Sequence, residues 1–224
     1  MKLSNETLNV LKNFASINSG IEFKTGNKLS TISSTKTVLA KATLKDEFPQ
    51  DFCIYDLNQF LSVHSLGKDT ELDFDSQNVI FKAGRSKTKY RMTAKSMIVS
   101  APEKDLNLPS VDGSFKLKDE DLAQVLKNAA VLGSPNVSFE SDGSKISVTC
   151  FNAKDDSAHT NTVEIGTTDN EKTFKAVFLV ENFKMIPDTY NVEVSSAGLS
   201  SFKNEAGDMQ YFIAIESKDS KFGE

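Results

Sequence analysis

The sequence predicts an α+β chain made of two copies of one domain, each packing helices against antiparallel sheets. Three observations carry that reading. The phrase LKNFA at 11–15 returns as LKNAA at 126–130. Each copy is followed by the same order of elements: four strand-like runs, a short helix, then further strands. A chain of 224 residues with 38% apolar content is also long enough for two domains of about 110 residues.

In the first half, residues 4–15 predict a helix. Ser4 is a good N-cap, and Leu8, Leu11 and Ala15 fall at i, i+3 and i+7 on one face. Asn5, Asn9, Lys12 and Ser16 fall on the other, and Gly20 is expected to end the unit. The runs IEFKT, LSTIS, TVLAKATL and FCIY then read as strands, separated by turn signals such as Gly26-Asn27 and Phe48-Pro49. A short helix is expected over 56–64, capped by Asp56, with Leu57, Phe60 and Leu61 as its apolar face. ELDFD, NVIFKA and TKYRM complete this half.

Residues 96–114, with two prolines and no period, read as an extended connector between domains at 1–95 and 115–224. In the second half Asp119 is expected to cap a helix to about Leu132, with Leu122, Val125, Leu126 and Ala129 apolar. NVSFE, KISVTCF, HTNTVEI and FKAVFL read as strands, and residues 181–185 as a short helix. YNVEVS, LSSFK and MQYFIAIE follow. Asp142-Gly143 marks a hairpin turn. Both long helices present a polar face: Asn9, Lys12 and Asn13 on the first, Gln124, Lys127 and Asn128 on the second.

Charged residues make up 25% of the chain and the formal net charge is −5, which argues against a protein that coats DNA through bulk basicity. The distribution is uneven. Residues 82–95 carry six basic residues and no acidic one, whereas 155–171 carry five acidic residues and no Lys or Arg. No run approaches the roughly 18 apolar residues of a membrane span. The opening MKLSNETLNV has no apolar signal core, so an intracellular protein is expected. Cys53 and Cys150 lie in strand-like runs and read as small buried hydrophobes.

Catalytic signals are thin. His64 and His159 stand in unlike contexts, and no His/Cys cluster has metal-ligand spacing. GIEFKTGNK at 20–28 has the wrong spacing for a phosphate loop and lacks the Ser/Thr after Lys28. Asp155 and Asp156 are adjacent, so on a strand they would point to opposite faces. Asp73 and Asp75 alternate with Phe74 as on a solvent face. No catalytic residue, metal or cofactor is expected.

Several stretches, taken in order, resemble one family: MKLS, LKNFASINSGI at 11–21, IYDLNQFL at 54–61, IVSAP at 98–102, LKDEDLAQVL at 117–126 and FNAKDDSA at 151–158. They resemble the DNA polymerase sliding clamps, most nearly those of T-even-type tailed bacteriophages. The resemblance implies a homotrimeric ring of six domains, with helices lining a hole that holds duplex DNA and sheets forming the outer wall. It implies as partners double-stranded DNA, the replicative DNA polymerase and a clamp-loader ATPase, with transcription factors as further candidates, in the cytoplasm of an infected bacterium.

On that footing Lys12 and Lys127 are the first candidates to face DNA. Lys184 on the second short helix is next, and Lys68, Arg85 and Lys87 stand at the rim. A modest lining suffices, because phosphate contacts are sequence-independent and a ring holds by enclosure. The 82–95 segment has two readings. It contacts DNA, or its strand, with Lys89, Tyr90 and Arg91, pairs with an edge strand of a neighbouring subunit bearing Glu164, in the acidic stretch. Ile98, Val99, Leu106 and Leu108 are candidates for the border of a pocket for polymerase tail peptides, or else plain core. The rival functions are a peptide-binding adaptor that does not encircle DNA and an enzyme with a hydrolase-like carboxylate pair.

Overall fold

The computed structural model describes residues 1–168 and 172–223. The chain divides into two compact units, Met1–Glu103 and Lys104–Glu224.

The first unit opens with helix α1 (Asn5–Ile17). The Ser4 hydroxyl accepts the Thr7 amide at 3.2 Å and so satisfies a free N–H of the first turn. Asp46 in turn accepts the Ser4 amide and hydroxyl, at 2.7 and 2.8 Å, which fastens the helix start to the sheet. Thr7, Leu11, Phe14, Ala15 and Ile17 are the buried residues of the helix. Gly20 does not cap it. Asn18 closes the last turn and donates to the Ile32 and Val99 carbonyls, both at 2.9 Å, while Gly20 gives the room that Ile98 needs.

Strands β1 (Ile21–Phe23), β2 (Gly26–Ile32), β3 (Val38–Phe48) and β4 (Phe52–Ile54) pair antiparallel in the order β4-β1-β2-β3. Gly26 belongs to β2 at a register shift, with φ of 102°, rather than forming a separate turn. Helix α2 (Leu57–His64) is capped by Asp56, whose carboxylate accepts the Gln59 amide at 3.0 Å. A second sheet, β5 (Glu71–Phe74), β6 (Asn78–Ala83) and β7 (Ser86–Arg91), pairs in chain order. Phe60 of α2 meets Phe81 at 4.9 Å and Phe23 at 6.2 Å, and Phe23 stacks on Phe52 at 4.4 Å, so helix and both sheets share an aromatic core.

The second unit begins with a strand that the connector reading missed, β8 (Gly113–Leu117). Its short apolar alternation, Phe115 and Leu117, is masked by the preceding prolines. Helix α3 (Asp119–Leu132) follows. Lys118 occupies the N-cap position and makes no side-chain cap bond; Asp119 is the first helical residue. Asp119, Glu120 and Asp121 instead favour the helix start through its dipole. Gly133, with φ of 64°, supplies the left-handed C-terminal cap.

Strands β9 (Asn136–Asp142), β10 (Lys145–Phe151), β11 (Asn161–Thr167) and β12 (Thr173–Leu179) form a sheet in the order β11-β10-β9-β12. The helix expected at 181–185 is one 3-10 turn, Val180–Asn182. Leu179 offers no side-chain cap, and Pro187 restricts Ile186, so no longer helix forms. Strands β13 (Tyr190–Ser195), β14 (Leu199–Asn204) and β15 (Met209–Ala214) pair in the order β15-β14-β13-β8, and β16 (Lys221–Phe222) pairs with β12. Phe139, Phe178, Phe183 and Phe202 make this unit's aromatic core. Cys53 and Cys150 are free and buried, and burial pushes both thiols up.

Burial works against the charge on Asp46, but the Ser4 amide and the Thr7 and Ser4 hydroxyls outweigh it and hold the carboxyl below its usual range. Asp46→Ala is therefore expected to cost about 1 kcal/mol, near the value of a helix cap or a charged hydrogen bond. The difference from wild type is present above pH 3.8 and shrinks as the pH falls below it, which urea unfolding at several pH values measures.

Candidate nucleic-acid interface

The repeated phrase marks matching places on α1 and α3. Its fourth residue, Phe14 or Ala129, is buried against a sheet; its second, Lys12 or Lys127, is exposed. The 3.6-residue period requires this, since positions two residues apart lie about 200° apart around the helix. Among the described residues neither lysine has an ion pair. Three lysines on the strands behave otherwise: Lys82, Lys145 and Lys175 meet Asp73, Glu164 and Glu140 at 2.8, 2.8 and 3.1 Å.

Neighbours tune each helix face. His64, in the last turn of α2, is half-buried, and its Nε2 is buried without a partner. Burial and then the positive charge of Lys12 hold its pKa below 6.5. On α3, the Gln124 side chain donates to Asn128 and the Asn128 side chain donates to Asn161 of β11, both at 2.6 Å. Asn128 thus braces helix against strand, and Lys127 projects from a fixed scaffold. Lys184 is exposed in the irregular segment after the 3-10 turn. Tyr211 and Tyr190 hold that segment: the Ile186 amide donates to the Tyr211 hydroxyl at 3.1 Å, and the Tyr190 hydroxyl donates to the Ile186 carbonyl. Burial pushes the Tyr211 phenol up to about 12, so both hydroxyls stay protonated.

Lys68, Arg85 and Lys87 are all exposed. A Cβ on Gly67 would stand 2.2 Å from that of Ala83, so the loop bearing Lys68 abuts the turn bearing Arg85. Lys87 differs. On β7, Thr88 and Tyr90 alternate with exposed Lys87, Lys89 and Arg91. Tyr90 packs on Phe60 at 5.6 Å and donates to the Asp56 carbonyl at 2.9 Å, so its face is the one that meets α2. Lys87, Lys89 and Arg91 lie on the opposite face of that sheet. The structure does not bring them together with the helix face of Lys12. Beyond β6, no described strand pairs with β7.

Two family models match. DNA polymerase processivity factor covers residues 4–100, and gp45 sliding clamp, C terminal, covers residues 114–217. The sliding clamp of Vibrio phage KVP40 is 34% identical over 97% of this chain and 100% of its own length. The chain belongs to the phage sliding clamps. The sliding clamp of Enterobacteria phage T4 is 33% identical over 97% of each chain. A fold match extends further, to the A. fulgidus PCNA solved with the C-terminal region of FEN-1 bound: TM-score 0.68 at 14% identity, over 93% of this chain and 94% of that one.

The clamp is thus a processivity factor for DNA polymerase, a family without a catalytic function. The residues weighed for chemistry have other work. Asp155 accepts the Ser157 amide and hydroxyl in a turn, and Asp73 pairs with Lys82. Glu164 faces outward from β11, paired with Lys145 at 2.8 Å. Of the acidic stretch 155–171, Asp169 and Glu171 lie outside the described residues. Ile98 and Val99 belong to the first unit, with Ile98 half-buried against Gly20 and Val99 exposed. Leu106 and Leu108 belong to the second and are half-buried. No helix among the described residues is long and apolar enough to cross a membrane.

Neither the Asn161 brace nor the repulsion between Lys12 and His64 has a signal in the sequence. Asn161 lies 33 residues from its partner, with no local signal. For His64, the expected NMR titration midpoint is below 6.5, and it rises in Lys12→Ala once the repelling charge is gone. Folded His64 takes a proton less readily than the unfolded chain, so its contribution to stability is intact above pH 6.5 and falls as pH drops below it.

Proposed function

We propose that three chains of this clamp close into a ring around duplex DNA, loaded by an ATPase and holding the replicative polymerase to its template in the cytoplasm of the infected cell. The observation that carries the reading is the pair of matching, exposed and unneutralised lysines, Lys12 and Lys127, on the two repeated helices. Three chains with two lysines each would line the hole with weak, sequence-independent phosphate contacts. Lys184, Lys68 and Arg85 are secondary contacts under this reading. The peptide-bound state of the structurally similar PCNA supports a tail-peptide pocket, for which Ile98, Val99, Leu106 and Leu108 remain our candidates.

Two strand edges that are unpaired among the described residues support the closure. β7 is an edge carrying Lys89 and Arg91 on its outer face, and β11 is an edge carrying Glu164 on its outer face. Pairing them across subunits would extend both sheets and set opposite charges side by side. This favours the interface reading of Lys87, Lys89 and Arg91 over DNA contact. Tyr90 would act there indirectly, since its ring fixes β7 on α2.

Lys12→Ala with Lys127→Ala is expected to lower primer extension on a primed circle, given loader and ATP, and to leave polymerase-peptide binding unchanged. Unchanged extension across a range of salt would remove the DNA face from these helices. Lys89→Glu with Arg91→Glu is expected to shift the sedimenting species from trimer toward monomer at micromolar concentration. A trimer as tight as wild type would exclude the proposed edge pairing.

A further inference from the structure

The outer edge of β12 is covered by the chain's own residues 216–223. The Glu216 amide donates to the Val177 carbonyl at 2.8 Å, and the Val177 amide donates to the Ser220 hydroxyl at 2.9 Å. Two residues then pair as a strand, Lys221 with Lys175 and Phe222 with Phe174, before the Gly223 amide donates to the Thr173 carbonyl at 2.8 Å. The Phe222 ring stacks on Phe174 at 6.4 Å. Phe174 stacks on Phe115 at 6.3 Å, which meets Phe139 of the core at 5.2 Å. Phe174 also lies over Gly113, where a Cβ would stand 2.2 Å from the ring. The edge of β12 therefore ends in an aromatic platform.

The cover fits this edge poorly. Lys221 stands directly opposite Lys175, which already meets Glu140 of β9 at 3.1 Å, so the cover brings a second cation to a site with one carboxylate. Ser217, Lys218, Asp219 and Lys221 are exposed, and among the described residues no charged side chain of the cover has an ion pair. The first unit has an equivalent cover and holds it differently. There Thr93 donates to the Cys53 carbonyl on the edge of β4 at 2.9 Å. Lys95 is then pinned between Glu22 and Glu103 at 3.0 and 3.1 Å.

We propose that the edge of β12 is a strand-addition site with residues 217–223 as a displaceable cover. It accepts an extended segment of a partner protein carrying an acidic residue followed by an aromatic one. The main chain of β12 supplies the ladder bonds, Phe174 receives the aromatic ring, and Lys175 receives the acid that stands where Lys221 now stands. Such a segment removes the second cation, sets Lys175 between Glu140 and its own carboxylate, as Lys95 stands between Glu22 and Glu103, and keeps the ring stack.

The test uses the full chain and a fluorescent peptide of residues 217–223 in which the Lys221 position is changed to Glu, read by anisotropy and by hydrogen exchange of the cover. Phe222→Ala in the protein loosens the cover and is expected to raise peptide affinity about tenfold. Lys221→Glu in the protein tightens the cover, and is expected to slow exchange at 221–223 and weaken the peptide. A peptide lacking the aromatic residue is expected not to bind. Equal affinity for wild type and both variants, or exchange at 221–223 as slow as in the centre of β9, overturns the proposal. Neither readout involves DNA or the ring, so failure here leaves the proposed function standing, and failure there leaves this site standing.

Discussion

The rotation of two helices against their sheets fixes what the rest of the clamp can do. Burial of Leu11 and Phe14 on α1, and of Leu122, Val125 and Ala129 on α3, is worth on the order of 1.5–3 kcal/mol for each large side chain. Turning either helix by one residue would bury a lysine ammonium without a partner, which costs several kcal/mol more. The apolar stripe therefore dictates the direction of Lys12 and Lys127. The capping of α1 by Ser4 and Asp46, and the brace from Asn128 to Asn161, add the precision that a stripe alone lacks. The exposed face of each helix, which carries the proposed DNA contacts, arises as the remainder of a packing problem solved twice.

Charge placement follows a related logic. On the strands several exposed lysines meet a carboxylate of a neighbouring strand, as with Lys82 and Asp73 or Lys145 and Glu164. Such exposed pairs add little stability, but they cancel local fields. On the helices the lysines are left uncancelled within an acidic chain. The net charge of −5 repels nucleic acid at a distance, while a field limited to about 8–10 Å by salt is felt only by DNA already close to those helices. Under the proposed ring, weak attraction inside and repulsion outside would suit a protein that must slide without sticking.

The sequence made most of the fold legible and little of the site's bracing. NVIFKA, KISVTCF and YNVEVS match β6, β10 and β13 residue for residue, because alternation and turn signals act locally. The repeated phrase located the helix faces because its period follows from helix geometry. The sequence suggests a second short helix that does not form. VENF has the apolar spacing of LNQF, but α2 forms on a cap at Asp56 that the second unit lacks, and Pro187 closes the alternative. β8 was lost in a proline-bearing stretch whose pairing partner, β13, lies more than seventy positions on. Tyr90 shows the same limit from the other side: its place in a basic strand gives no sign that its ring and hydroxyl engage α2.

Edges are the remaining constraint. A sheet edge with free N–H and C=O groups invites indiscriminate pairing, so a stable protein must cover it, charge it or use it. The duplication presents that problem in both units, and the answers differ. Near the edge of β4 the covering chain is locked by Lys95 between two carboxylates, whereas on β12 it holds by a two-residue ladder and a ring stack. Among the described residues no strand covers the outer edge of β7 or β11; β7 carries Lys89 and Arg91 on its outer face, and β11 carries Glu164, paired with Lys145. An edge left open and charged in a single sign is protected from its own kind and available to its opposite. One chain holds both signs, on different units, so under the proposed trimer the charges that discourage random pairing would also favour an ordered one.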